Sequence, residues 1–449
     1  MRKIAAVIGS SGIGKSKLAV ELSKALHGQV INADSLQVYK GLDIITNKMP
    51  PNEREGIPHH LMSFLETDQE YKVTDFLTDA SKTIESISSQ DHLPVVVGGT
   101  HYYIQSLLWN NTLMKEEESR SPSPEPCPEL DNLSTEKLYE ELSKVDSVMA
   151  NKWHPSDRRK ILRSLKVFHS SGKPQSAIIQ SQKEEGQQPR YKALVFWIYS
   201  DPAKLNPRLD DRVDQMIGTG LFDEIKNLRQ QVVEGSIKTP DCEMEKYQRG
   251  IWQAIGYKEF DPYFTALESG TKGVDLDKIK LDCTERMKAA TRRYAKRQIQ
   301  WIRNKLLPTI AKTGSDDVVL YLLDAQDLDK WDVNVKDTAV EVAKAFCHNL
   351  PMPAPNSLSD IAATMLTPSD DAQDSQTKVL QWKKHTCDVC KTAKGDCLVL
   401  NGDLEWEQHK KSRLHRKFLK KIRVDEMRRQ YMEKKAAEAA CTVEKDKES

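Results

Sequence analysis

The sequence predicts an α/β protein: a P-loop parallel sheet core with a helical insertion domain and a C-terminal zinc finger. Three observations carry this expectation. Gly9-Ser10-Ser11-Gly12-Ile13-Gly14-Lys15-Ser16 reads GxxxxGKS. It lies between an apolar run, Ile4–Ile8, and a helical pattern with Leu18, Ala19, Leu22, Ala25 and Leu26 on one face. Strand-like and helical patterns then alternate through Gln29–Asn32, a helix over 73–88 and the strand Leu93–Val97. Near the other end, Cys387-x2-Cys390 and His409-x5-His415 supply two thiolates and two imidazoles, the donor set of tetrahedral Zn2+.

The glycine loop is a ready anion site. Its glycines let backbone N–H groups converge, and the following helix adds its positive dipole end. Lys15 is placed to neutralise phosphate charge, and the Ser16 hydroxyl to hold Mg2+. Ligands collect at the carboxyl ends of parallel strands, so Asp34-Ser35 and Gly98-Gly99-Thr100 should face the same crevice. These motifs belong to residues 1–112, the first part of the core. Residues 115–132 turn to Glu, Ser and Pro, which reads as a loop. Helical patterns without a strand fill the rest of 113–189, the insertion. A strand over Tyr191–Tyr199 returns the chain to the sheet. Helices at 206–233 and 281–306, with a last strand at Val318–Leu323, complete 190–349. Residues 350–376, rich in Pro, Ser and Asp, read as a flexible linker, 377–425 as a separate small module and 426–449 as a charged tail.

Charge is balanced, with 67 basic and 66 acidic residues, so any basic partner surface must be local. No secretory leader precedes the first strand and no apolar run nears membrane-spanning length, so a soluble intracellular protein is expected. The eight cysteines are too sparse for a disulfide framework, and the CxxC pair is better explained by metal.

Asp34 follows a strand beside the phosphate loop, where a carboxylate can act as general base or help hold Mg2+. Gln37 and Tyr39 suit a nucleobase edge and face. A helix cap at Asp34 with Tyr39 in the core fits these residues equally well. Gly98-Gly99-Thr100 allows close backbone approach followed by a hydroxyl, and a tight turn without chemistry is its plainer reading. No Asp or Glu ends the Val95–Val97 strand, which argues against nucleotide hydrolysis. In the insertion, Arg159, Arg163 and Lys166 share a stripe opposite Ile161, Leu165 and Phe168. A second helix carries Arg286, Lys288, Arg292, Arg293, Lys296, Arg297 and Arg303 with Tyr294 and Trp301 interleaved. Together they suggest a phosphate-backbone track. Arg208 and Arg212 add guanidinium forks suited to a diphosphate.

With these pieces placed, residues 1–350 resemble the tRNA isopentenyltransferases (tRNA dimethylallyltransferases) of eukaryotic type. The carriers are GSSGIGKS, INADSLQVYKGLDIITNKMP, EREGIPHHLMSF, VVVGGTHYYIQSLL, HPSDRRKILRSLKVF, LDDRVDQMI, IGYKEF and ERMKAATRRYAKRQIQWIRNK, and the terminal finger resembles the eukaryotic extension. Ser10-Ser11 departs from the Pro-Thr of many bacterial members, at positions that contribute mainly backbone. The resemblance implies transfer of a dimethylallyl group from dimethylallyl diphosphate to the exocyclic amine of the adenosine 3′ of the anticodon. It implies a diphosphate cradle at Gly9–Ser16 with Mg2+ at Ser16, and Asp34 as the base. Ser35, Gln37 and Tyr39 would lie in the adenosine pocket, Thr100 at the catalytic channel, and Arg208 or Arg212 on the diphosphate. Asp157, Arg158, Arg159, Lys296, Arg297 and Gln298 would touch tRNA. Cys387, Cys390, His409 and His415 would hold Zn2+. A monomer acting on the anticodon stem-loop, in the cytoplasm and also in nucleus or mitochondrion, is expected.

A P-loop kinase of a nucleotide or small metabolite explains the first loop but not the insertion, the basic helices or the finger. An inactive RNA-binding protein conflicts with the intact Lys15, Ser16, Asp34 and Thr100. A transferase acting on free adenine nucleotides leaves the insertion and finger without a role.

Overall fold

The structure, a computed structural model, describes residues 1–110, 112–113, 128–237, 247, 250–314, 316–367, 383–391, 395 and 397–445. Six parallel strands form the main sheet: β1 (Lys3–Gly9), β2 (Gly28–Asn32), β3 (His59–His60), β4 (Leu93–Val97), β5 (Lys192–Tyr199) and β6 (Val318–Asp324). Their order is β3-β2-β4-β1-β5-β6. β1 is central and covered on both faces, which explains its unbroken apolar sequence. Its even-numbered residues, Ile4, Ala6 and Ile8, pack with Phe76, Ile84, Ile104 and Trp197 on one face. Ala5 and Val7 pack with Leu18, Leu22, Val342 and Phe346 on the other.

The neighbours of β1 are β4 and β5, neither of them next in sequence. The chain therefore leaves β1 at a topological switch point, and a crevice opens at its carboxyl end. The phosphate loop, the Asp34 turn after β2 and the Gly98-Gly99-Thr100 turn after β4 all belong to that end. A further cluster builds a side annex from Val38, Tyr39, Trp252, Tyr257, Phe260 and Met287.

The expected strands are observed, with β3 in addition. It is two residues long and carries no periodicity that a sequence reading could detect. Residues 206–233 form two helices, Pro202–Gly218 and Leu221–Val233, broken at Gly220, whose φ of 110° requires glycine. The basic helix is longer than its apolar pattern, Val274–Trp301, and continues through a wide turn at Ile302–Leu306.

Two readings of organisation need correction. Residues 350–367, read as linker, are packed. Tyr321 OH donates to Pro353 O at 2.6 Å, and the helix Asp360–Leu366 buries Ala362 in the core. Pro and Ser content signalled a lack of regular structure there, not a lack of packing. The remainder, 368–376, and residues 115–127 of the expected loop 115–132 lie outside the described residues, while Pro128–Asp131 form a short helix. The finger is also not a separate module. The chain divides into two compact units, Met1–Ser119 with Glu185–Ala372, and Arg120–Glu184 with Gln373–Ser449. In the second unit the finger packs with the helical insertion. The tail is a helix, Arg413–Lys445, continuous with the finger's last segment.

Gly98 fixes how closely β4 approaches the β2 exit. A Cβ there would lie 2.2 Å from Ala33 O. Gly98→Ala is expected to lower stability by about 1–3 kcal/mol through overpacking, read as a lower urea midpoint at unchanged slope. An unchanged midpoint would remove this constraint.

Candidate active site and metal centre

The phosphate loop is held in place by backbone geometry and by three neighbouring elements. Gly12 and Gly14 have φ of 74° and 94°, a region costly for residues with a Cβ. Gly9 N–H donates to His101 Nε2 at 3.4 Å, and Ser11 N–H donates to Gln298 Oε1 at 2.7 Å. Burial, reinforced by nearby Lys15, pushes the His101 pKa down to about 3, so the imidazole stays neutral and Nε2 remains an acceptor. Leu209 and Arg212 press on Gly12, and the Trp331 ring presses on Gly14.

Lys15 donates to Ser10 O at 2.8 Å. Burial lowers its pKa to about 8. Asp34 acts in the opposite sense and Arg212 adds to the lowering. Burial also draws Arg212 down to about 10, which leaves it charged at neutral pH. Two desolvated cations thus face one space without a matching number of anions. That is the electrostatic signature of an anion site.

On the other side of this space, Asp34 is fixed by its own turn. Its amide donates to Asn32 Oδ1 at 3.1 Å, and Leu36 N–H donates to Asp34 Oδ1 at 3.0 Å. Thr100 Oγ1 accepts from Ser35 N–H at 3.0 Å and donates to Ser35 Oγ at 3.2 Å, locking the two turns together. A Cβ at Gly99 would sit 2.7 Å from Gln298 Nε2, 3.1 Å from Asp34 Oδ2 and 3.5 Å from Tyr294 OH. Glycine keeps open the space onto which these polar groups converge.

The other expected site residues separate into available and engaged groups. Arg208 donates to Ala325 O at 2.8 Å and Gln326 O at 2.5 Å, which ties it to the exit of β6. Arg212 makes no hydrogen bond or ion pair among the described residues. This difference was invisible in sequence. Gln298 is 4% exposed and is not a surface residue: it accepts from Ser11 and donates to Gly99 O at 2.9 Å. Of the two readings of Tyr39, base pocket or core, the structure has the core: the residue is 2% exposed in the annex. Gln37 donates to Thr46 O and Asn47 O at 3.1 and 3.2 Å. Asp157 caps the helix Arg158–Ser171, and Arg158 donates to Leu133 O and Asp131 O. Both are therefore structural within the insertion, and Arg159 stays exposed. The basic track is narrower than its residue list. Arg286, Lys288 and Arg292 pair with Asp282, Asp214 and Asp210, while Arg293, Lys296 and Arg297 carry no ion pair among the described residues. Trp331 and His101 escaped the sequence reading because neither belongs to a phosphate motif.

In the second unit, β7 (Lys384–Lys391) and β8 (Cys397–Asn401) form an antiparallel hairpin followed by the helix Gly402–Lys410. Donor atoms of Cys387, Cys390, His409 and His415 all lie within 4.8 Å of one another. Both sulfurs are 3.5 Å from His415 Nδ1, and His409 Nε2 is buried without a hydrogen-bond partner. An imidazole nitrogen without a hydrogen-bond partner beside two thiols fits a metal ligand, and a Cys2His2 set fits zinc. The hairpin is pinned to the insertion. Lys384 Nζ donates to Tyr139 OH and to Ala150 O at 2.7 Å and lies 4.4 Å from the Tyr139 ring centroid, and His154 Nε2 lies 3.1 Å from Val399 O.

A cationic phosphate loop that faces a carboxylate and a hydroxyl across a glycine-lined gap defines a P-loop α/β protein of the group-transfer class. The particular family follows from comparison, and the chain belongs to it: the model described as IPP transferase matches residues 37–305. The chain is 40% identical to the tRNA dimethylallyltransferase of Schizosaccharomyces pombe, covering 93% of this chain and 94% of the relative. It is 37% identical to that of Saccharomyces cerevisiae, covering 94% and 92%. A solved structure of a eukaryotic dimethylallyltransferase acting on tRNA matches with a TM-score of 0.76 at 35% identity, covering 96% of this chain and all of that one.

The low Lys15 pKa gives a pH signature. Below about pH 8 the amine is already charged, and above it an arriving anion must draw in a proton. Pyrophosphate affinity should therefore fall as pH rises through 8, with proton uptake measurable by calorimetry in buffers of different ionisation heat. Lys15→Met should abolish the uptake. For the second unit, Cys390→Ser should lower bound metal, measured by elemental analysis, and leave pyrophosphate affinity unchanged. Equal metal content in the variant would count against this centre.

Proposed function

We propose that this protein transfers a dimethylallyl group from dimethylallyl diphosphate to N6 of the adenosine 3′ of the anticodon in tRNA, giving N6-isopentenyladenosine. The observation that carries the reading is that desolvated Lys15 lies within electrostatic reach of desolvated Arg212 and of Asp34, whose turn Thr100 locks. The relatives' activity supplies the substrates. The N6–C1 bond forms as the C1–O bond to diphosphate breaks, and the N6 proton passes to Asp34. Lys15, Arg212 and the loop amides stabilise the charge that develops on the leaving group. Adenine N6 is a weak nucleophile, so a fixed carboxylate is needed as the new bond gives nitrogen positive charge. Thr100 and Ser35 hold the Asp34 turn where the extruded base must arrive.

Mg2+ fits at Ser16, whose hydroxyl is half-buried in the first helical turn and has no hydrogen-bond partner among the described residues. When bound it would supply further charge neutralisation to the diphosphate. The metal centre is read as structural zinc. Exposed Arg159, Lys296 and Arg297 are read as tRNA phosphate contacts. No described helix is long and apolar enough to cross a membrane. A monomer working in the cytoplasm is the simplest assignment.

Labelled dimethylallyl diphosphate and an anticodon stem-loop with adenosine at the target position test the scheme. Asp34→Asn should cut label transfer by about 100-fold or more, the range for loss of a general base. Arg212→Ala should cut the transfer rate without a matching loss of stability, whereas Arg208→Ala should mainly lower the melting temperature. Label moving to free AMP, or phosphate moving from ATP, would contradict the assignment.

A further inference from the structure

One aromatic contact on the phosphate loop has no part in the chemistry above. Trp331, 5% exposed, lies in the segment after β6 and covers Gly14. A Cβ at Gly14 would meet its ring carbons at 2.5 and 2.8 Å. The ring is held from two further sides. Its indole N–H donates to both Glu21 carboxylate oxygens at 3.2 and 3.1 Å, and Lys17 Nζ stands 4.8 Å from the ring centroid. Arg208 secures the same segment upstream through Ala325 O and Gln326 O.

This contact divides the loop into two sides. The Lys15 amine reaches back to Ser10 O and lies within the electrostatic reach of Asp34 and Arg212, so one side faces the transfer gap. The other side, formed by Gly14 and the first helical turn, is covered by the indole. In a loop of this type the backbone cradles the α and β phosphates and the lysine reaches the β and γ phosphates, so a nucleoside leaves from the α end, away from the lysine amine. A prenyl group that points its C1 towards Asp34 leaves on the open side. A nucleoside would have to leave on the closed one.

We infer that Trp331, seated on Gly14 and clamped by Glu21, is the specificity wall that excludes nucleotides from this phosphate loop. The inference rests on the diphosphate reading of Gly9–Ser16. Its effect is steric: the ring fills the volume a ribose would need. Two anions that share a diphosphate, pyrophosphate and ADP, would then differ in affinity because of one side chain.

Calorimetric titration of the full chain with Mg-pyrophosphate and with Mg-ADP reads the wall as a ratio of affinities. Trp331→Ala and Trp331→Leu should raise the ADP-to-pyrophosphate ratio by about tenfold or more, and Trp331→Phe should leave it close to the parent value. Using a ratio cancels any general weakening of the loop. If neither small variant folds, Glu21→Ala, which releases the indole N–H from outside the cradle, should raise the ratio instead. A folded small variant that still binds pyrophosphate with an unchanged ratio overturns the inference and leaves the diphosphate reading intact. Failure of the parent protein to bind pyrophosphate would overturn both.

Discussion

The Gln298 side-chain amide joins two turns that are nearly a hundred residues apart in sequence. Its oxygen accepts from the Ser11 amide of the phosphate loop, and its nitrogen donates to Gly99 O in the turn after β4. Both bonds are sheltered from water, where an unmade partner is expensive. The glycine loop and the turn after β4 are therefore tied together by one side chain on the long basic helix. That helix also presents Arg293, Lys296 and Arg297. The exposed cations of its outer face and the bonds that join the two turns on its inner face belong to the same element.

Burial of cations is the second constraint. Lys15 and Arg212 are held out of water with Asp34 as the nearby opposing charge, and burial lowers the pKa of both. Neutral His101 completes the arrangement by accepting from Gly9 without adding charge. Under the proposed transfer, a leaving group would find its stabilising charges already in place.

Much of the core was legible in the sequence. The phosphate loop, Asp34 and Thr100 sit at strand ends that apolar runs and glycines announce. The metal ligands were legible for a similar reason, since four donors at suitable spacing on a short chain segment must meet. What escaped depended on contacts between distant segments. The commitment of Arg208 to Ala325 O and the pairing of Lys288 and Arg292 with acids on another helix required the packed chain. Residues 350–367 read as linker because their composition reports the lack of regular structure and not the burial of Ala362. The finger read as independent because Lys384 and His154 carry no signal of mutual contact until the hairpin and the insertion are placed together.

The sequence by itself determined the chemistry on offer: an anion loop, a carboxylate, a hydroxyl, basic helices and a Cys2His2 set. Each is a local pattern, fixed by residue type and short spacing. Tertiary structure decided which of those groups are free to act. Hydrogen-bond capacity is finite, and partners 117, 287 and 82 residues away claim Arg208, Gln298 and Asp210 but not Arg212. It also decided what the loop excludes, because Trp331 reaches Gly14 only through the packing of the segment after the last strand.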